Sequence, residues 1–201
     1  MENEKILIIG PSILYKQKLQ LANRLITQNS DLSIINSFIT DESFNQNQNS
    51  STSWQYFIPY MKVKESFKNN AIVYCTIDES NNDITKGIML DDWYNGDIAT
   101  MNFIDFNNIS NKIFSEYTDS LFIVWLDTNA NNAKQQYDSY YDRETDIRES
   151  HYADAKIESN NISVLYFNIN TEHISDIADT VLEYYNTSDK DIREKIISDN
   201  L

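Results

Sequence analysis

The segment Gly10-Pro11-Ser12-Ile13-Leu14-Tyr15-Lys16-Gln17 follows a short apolar run and precedes a run with helical spacing. A loop that cradles phosphate reads G-x-x-x-x-G-K-S/T in that setting. Its second glycine lets successive backbone N–H groups face the anion, its lysine adds charge, and its hydroxyl residue ligates Mg²⁺. Gly10 and Lys16 fall in register here, while Tyr15 replaces the second glycine and Gln17 the hydroxyl residue. A tyrosine held in a glycine-like conformation costs on the order of 1–3 kcal/mol. The same residues admit a plainer reading, in which Ser12 caps a helix that starts at Ile13 and Leu14 joins Leu21 and Leu25 on its buried face.

Other reactive types are dispersed. His151 and His173 have no Cys or closely spaced His partner, which argues against zinc. Cys75 is the one cysteine, so no intrachain disulfide forms, and its apolar neighbours suit a small buried hydrophobe. No G-x-S-x-G nucleophile motif occurs. Asp91-Asp92, and Asp138 with Asp142, read either as cation ligands or as a solvated acidic face. Arg143 and Arg148 lie beside Glu144 and Glu149, as in exposed helical ion pairs. Trp54, Trp93 and Trp125 suit a core or an interface better than base stacking.

The elements that hold these residues alternate. Strands are predicted over 4–9, 32–38, 54–60, 71–77, 97–103, 120–126 and 161–169. Helices are predicted up to residue 29, over 62–70, over 89–94 opened by Gly87, over 105–116, over 130–159, and after Thr171, which is expected to cap that helix. In the helix after Thr171, Ile174, Ile177, Ala178, Val181, Leu182 and Tyr185 repeat at helical spacing. Ser188 with Asp191 resembles a capping box for a terminal helix. The polar stretch 40–53 reads as a loop. This alternation predicts an α/β fold, a mainly parallel central sheet with helices on both faces. Ligands in such sheets bind beyond the carboxyl ends of the strands, which directs attention to the turn after the first one. One domain over 1–186 with a helical tail over 187–201 is the expected organisation.

The chain has 201 residues, 41% hydrophobic and 23% charged, which is ordinary for one globular domain. Its net charge of −15 argues against general nucleic-acid binding, which draws on Lys and Arg. No window approaches the length of a membrane span. The acidic opening Met1-Glu2-Asn3-Glu4 predicts no signal peptide, and the lone cysteine fits a cytoplasmic location. Only three glycines are available for ligand loops.

Taken in order, these segments resemble guanylate kinases of the phosphate-loop kinase class. Ile6-Leu7-Ile8-Ile9-Gly10-Pro11-Ser12 is similar to the family's opening, and Lys16 follows. Ser37-Phe38-Ile39-Thr40 looks like its Ser-x-Thr-Thr-Arg element, with acidic Asp41 and Glu42 where the arginine belongs. Tyr56 and Tyr60 lie in the region comparable to its monophosphate-binding segment. Lys86-Gly87 stands for its Tyr-Gly, and Arg143 and Arg148 for its lid arginines. The resemblance spans roughly residues 4–186. It implies ATP with Mg²⁺ held by Gly10, Ser12, Lys16 and Gln17, a monophosphate touched by Ser37, Thr40 and Tyr56, and transfer assisted by Lys16, Arg143 and Arg148. The substitutions at Tyr15, Gln17 and Glu42 leave two readings. One is a catalytically impaired relative, a pseudoenzyme without cofactor that binds a nucleotide or a protein partner. The other is an active nucleoside or deoxynucleoside monophosphate kinase with an atypical loop, of phage or other mobile-element origin.

Overall fold

A computed structural model describes residues 4–40, 54–77, 85–117, 120–128 and 140–200. The first strand, β1 (Lys5–Ile9), is central in a four-stranded, fully parallel sheet. Its neighbours are β6 (Ile98–Met101) on one side and β7 (Leu121–Asp127) on the other, with β8 (Ser163–Asn168) outside β7. Register is fixed by pairs such as Ile8 with Thr100 and with Val124.

A sheet covered on both faces reads as a continuous apolar run, because alternate side chains enter different layers. Ile6 and Ile8 of β1 join Phe122 and Val124 of β7 in one layer. There they meet Leu21, Ala22 and Leu25 of α1 (Tyr15–Gln28) and Ile177, Ala178 and Val181 of α7 (Ile174–Asn186). Leu7 and Ile9 join Ile123 and Trp125 in the opposite layer. That layer is closed by Trp93 of α3 (Leu90–Asn95), Phe106 of α4 (Phe103–Asn107), Phe114 of α5 (Asn111–Tyr117), and Ala153 and Ile157 of α6 (Tyr140–Asn160). Helices thus cover both faces, as the alternation predicted. A last helix, α8 (Lys190–Asp199), adds Ile196 to the first layer, and its Arg193 grips Glu4 through two bonds of 2.9 and 2.7 Å.

A second, mixed sheet was not legible as separate. Its order is β3 (Gln55–Phe57), β2 (Ser37–Ile39), β5 (Thr85–Met89), β4 (Ile72–Ile77). β2 pairs parallel to β3, whereas β5 runs antiparallel to both β2 and β4. Phe38 and Ile58 pack there on Val63 of α2 (Tyr60–Lys68).

Several boundaries differ from expectation. Gly87 does not open a helix. It lies inside β5, where a Cβ would stand 2.2 Å from the Tyr74 carbonyl oxygen and 2.7 Å from the Phe38 ring. The helix expected over 105–116 is two helices. Thr171 does not cap α7; its hydroxyl donates to the Asn168 carbonyl, and His173 holds the cap position without a side-chain bond. Asp189, rather than Ser188, caps α8, accepting from the N–H groups of Asp191 and Ile192. Cys75 is half-buried, not enclosed. Residues 41–53, with Asp41 and Glu42, lie outside the described residues, as does Asp138.

Candidate functional site

The carboxyl end of β1 runs into Gly10, and there the backbones crowd. A Cβ at Gly10 would stand 2.5 Å from the Leu126 carbonyl oxygen of β7. No glycine among the described residues has a positive φ, so close strand approach is what requires this one. Ser12–Leu14 then form a 3₁₀ turn that runs directly into α1. The Leu14 N–H donates to the Pro11 carbonyl at 3.1 Å, and the Tyr15 N–H to that of Ser12. Tyr15 has φ −51° and ψ −47°, ordinary right-handed helix. The strained tyrosine anticipated from the sequence does not arise, because Tyr15 is right-handed helical. The plainer reading is also off in detail: the α-helix begins at Tyr15, and Ser12 does not cap it.

The Ser12 donors go elsewhere. Its N–H and its hydroxyl both donate to one oxygen of Asp146, at 3.1 and 2.8 Å. Asp146 lies on α6 and is only 5% exposed. Starting the helix at Tyr15 also decides which lysine enters the fold. Lys16 is exposed, whereas Lys18 falls at helical spacing with Leu21, Ala22 and Leu25 and is 2% exposed. Its Nζ donates to the carbonyls of Gly10, Pro11 and Met101 at 2.9, 3.0 and 2.9 Å, tying the ends of β1 and β6 together. Burial pushes the Lys18 ammonium down to about 8, while Asp105 and Asp146 pull it back up.

Asp105 carries the site toward the second sheet. Asn102 caps α4 by accepting the Asp105 N–H at 2.8 Å, and the Thr76 hydroxyl of β4 donates to the Asp105 carboxylate at 2.8 Å. Burial raises the Asp105 carboxyl; the Thr76 bond and the charges of Lys18 and Lys86 oppose that rise. A carboxyl so poised between burial and two lysines is suited to accept a hydrogen bond or hold a proton.

The other expected site residues are spread out. Gln17 is half-buried, and its Oε1 has no hydrogen-bond partner. Ser37 opens β2 and Thr40 is buried just beyond it. Tyr56 on β3 donates its hydroxyl to Asp92 of α3, which, with burial, raises the phenol. Arg143 is half-buried on α6, whereas Arg148 is exposed and pairs with Glu149 at 3.2 Å. The structure therefore gathers Gly10, Ser12, Lys18 and Asp146, with Thr76 and Asp105 nearby on the second-sheet side. Lys18, Asp105 and Asp146 were not singled out from sequence. The missed signal was a charged residue at an inward helical position: Lys18 with Leu21 and Leu25, and Asp146 with Ala153 and Ile157. Among the described residues no group of three or more His, Cys, Asp or Glu is placed to hold a metal ion. No described helix is long and apolar enough to cross a membrane.

No family model matches the chain, and no curated protein matches it by sequence. Among solved structures, the guanylate kinase from Anaplasma phagocytophilum superimposes with a TM-score of 0.55. The match covers 98% of this chain and 94% of that one, at 13% identity. The fold is guanylate kinase-like. Identity this low carries the architecture and leaves the chemistry to this chain's own residues. In the guanylate kinase-like frame, the turn after β1 is where the motif register placed the phosphates, and here it is helical and bonded to Asp146.

Proposed function

We propose that this guanylate kinase-like protein is impaired as a phosphotransferase and works as a nucleotide-binding or protein-interaction module. The observation that carries the reading is the 3₁₀ turn over Ser12–Leu14. A triphosphate needs several backbone N–H groups converging on it. At the start of α1 the N–H groups of Leu14 and Tyr15 are spent inside the turn, so the residues present do not fit ATP with Mg²⁺. Gln17, in the register of the Mg²⁺-ligating hydroxyl, supports the same reading, as does the outward-facing Lys16. Lys18 does not substitute for it, because three carbonyls already use its three N–H bonds. Burial raises the lone thiol, Cys75, which lowers its thiolate fraction near neutral pH.

The test is direct. Purified protein is incubated with Mg-ATP and each nucleoside or deoxynucleoside monophosphate, and ADP release is followed. No turnover is expected, and Mg-ATP is expected to leave the melting temperature unchanged. A ligand at a hundredfold excess over its Kd would stabilise by about 2.7 kcal/mol, a readily measured shift. Monophosphate-dependent ADP release, lost in Lys16→Ala, would overturn the reading in favour of an active kinase with an atypical loop.

A further inference from the structure

Helix α2 is held on the second sheet by one row of side chains and leaves its other rows bare. Val63 is 4% exposed and packs on Phe38 and Ile58. The end of the helix is closed by the Ala71 N–H, which donates to the Ser66 carbonyl at 2.9 Å. Met61 and Phe67, 73% and 65% exposed, are the two most exposed large apolar residues among those described, and Tyr60 is 46% exposed. Such side chains are ordinary when scattered singly, but three on one helix of nine residues make a patch.

Their spacing brings them together. Tyr60, Lys64 and Phe67 fall at i, i+4 and i+7 along one stripe, and Met61 and Lys68 form the next row. The Lys64 ammonium lies 4.7 Å from the Tyr60 ring centroid, which keeps its charge beside the ring. Rings on a held helix lose little freedom when covered, and methionine adapts its shape to what covers it.

Charge narrows what the complement is. The nine residues carry three lysines and one glutamate, +2, which leaves −17 on the rest of a chain at −15. The patch is thus set among cations on an otherwise acidic molecule, and its match is apolar and flanked by carboxylates. An extended anionic bilayer would meet the −17 as well as α2. A second copy would bring its own −15 to the contact. The helix is about 14 Å long, and screening limits each charge to about 8 Å, so a partner segment of that reach feels the lysines and little of the remainder.

We propose that the outer face of α2 is a docking surface for an amphipathic helix of a partner protein, whose apolar stripe covers Tyr60, Met61 and Phe67 and whose flanking carboxylates meet Lys64 and Lys68. Two helices joined in this way pack side by side, as helix layers do. The inference rests on the protein-interaction reading and gives that module a surface. Its test contains no nucleotide. Loss of this surface leaves the impaired-module reading standing, whereas ADP release removes that reading whatever the α2 face binds.

The probe is a labelled synthetic helix of about 18 residues, five turns, with leucines along one stripe and glutamates beside it. Fluorescence anisotropy follows its binding to wild type, Phe67→Ser, Met61→Ser, Lys64→Glu and, as a distant control on α6, Tyr152→Ser. All four side chains are exposed, so the variants are expected to melt with wild type. Wild type is expected to bind saturably below about 1 mM. Phe67→Ser and Met61→Ser are each expected to weaken binding about tenfold. Lys64→Glu should weaken it about fivefold at low salt and less at high salt, and Tyr152→Ser should leave it unchanged. Absence of saturable binding overturns the proposal, as does equal binding by Phe67→Ser. A probe with lysines in place of its glutamates that binds as tightly removes the charge match and overturns it too. Phosphatidylserine vesicles that bind wild type but not Phe67→Ser would assign the face to lipid. A dimer in sedimentation equilibrium that Phe67→Ser abolishes would assign it to a second copy. Either result overturns the partner helix.

Discussion

At the scale of single residues, the lysine that the fold buries is not the one the motif indicates. Lys16 sits in the register of a phosphate-loop lysine, yet it is exposed on α1. Lys18 sits on the apolar face and satisfies three carbonyls at the ends of two strands. At pH 7 Lys18 is an ammonium with all three N–H bonds placed. Lys18→Met is expected to strip those carbonyls of a donor and leave Asp105 and Asp146 less compensated, at a cost of about 3 kcal/mol. Lys16→Met should change stability by less than about 0.5 kcal/mol, as for an ordinary surface site. Urea unfolding of the two variants side by side makes the comparison, and equal losses would show that the register rather than the face picks the important lysine. The motif reading did not single out Lys18, for a physical reason. Spacing along the chain says which residue would face a phosphate if a loop forms. A 3₁₀ turn passing straight into a helix rotates the lysines so that position 18 points inward. Gly10 was legible as a needed glycine, but the need is the 2.5 Å that a Cβ would leave to the Leu126 oxygen.

At the scale of elements, a chain with three glycines must end its helices by other means. Asn70 and Asn161 have φ of 53° and 52°, just past the ends of α2 and α6. At both ends the next N–H returns to the helix: Ala71 to the Ser66 carbonyl at 2.9 Å and Ile162 to that of Ile157 at 3.3 Å. This is the Schellman closure, with asparagine in the left-handed position that glycine usually takes. Ile157 and Ile162 are buried in the same layer, which supplies the apolar contact that accompanies the motif. Asn161→Gly is expected to stay within about 1 kcal/mol of wild type, and Asn161→Val to lose about 1–2 kcal/mol to left-handed strain. The melting temperatures of the pair decide it; a valine variant as stable as the glycine variant would sink this account of the helix end. The core elements were readable because β1 and β7 are continuous apolar runs and α7 repeats its apolar residues regularly. The second sheet was not, because β2 and β3 have three residues each and β5 holds Lys86 and Gly87, leaving too few positions for a period of two to register.

At the scale of the whole molecule, buried and half-buried titrating groups predict a stability that rises into the alkaline range at high salt. Burial lowers Lys18 and Lys156 to about 8, against 10.5 in the unfolded chain. Below pH 8 both states hold these protons, and the folded state bears the cost of two poorly solvated ammonium groups. Between about pH 8 and 10 the folded protein has released them while the unfolded chain keeps them. Unfolding then takes up protons, and stability rises with pH. Burial also raises Tyr56, Tyr74, Tyr166 and Tyr185 above their usual 10, aided by Asp92 for Tyr56 and by Asp105 for Tyr74. For these groups the unfolded chain ionises first, so stability falls once pH passes about 10. The net charge of −15 works against the rise, since each proton lost adds to the repulsion among carboxylates. Added salt screens that repulsion more than it alters buried groups. At high salt, the urea midpoint is therefore expected to climb between pH 8 and 9.5, turn over near pH 10, and decline beyond it. Lys18→Met should start lower and climb less, because one of the two titrating ammonium groups is gone. A wild-type midpoint that is flat or falling from pH 8 to 9.5 at high salt would mean that the carbonyls of Gly10, Pro11 and Met101 hold the Lys18 proton in place against its burial.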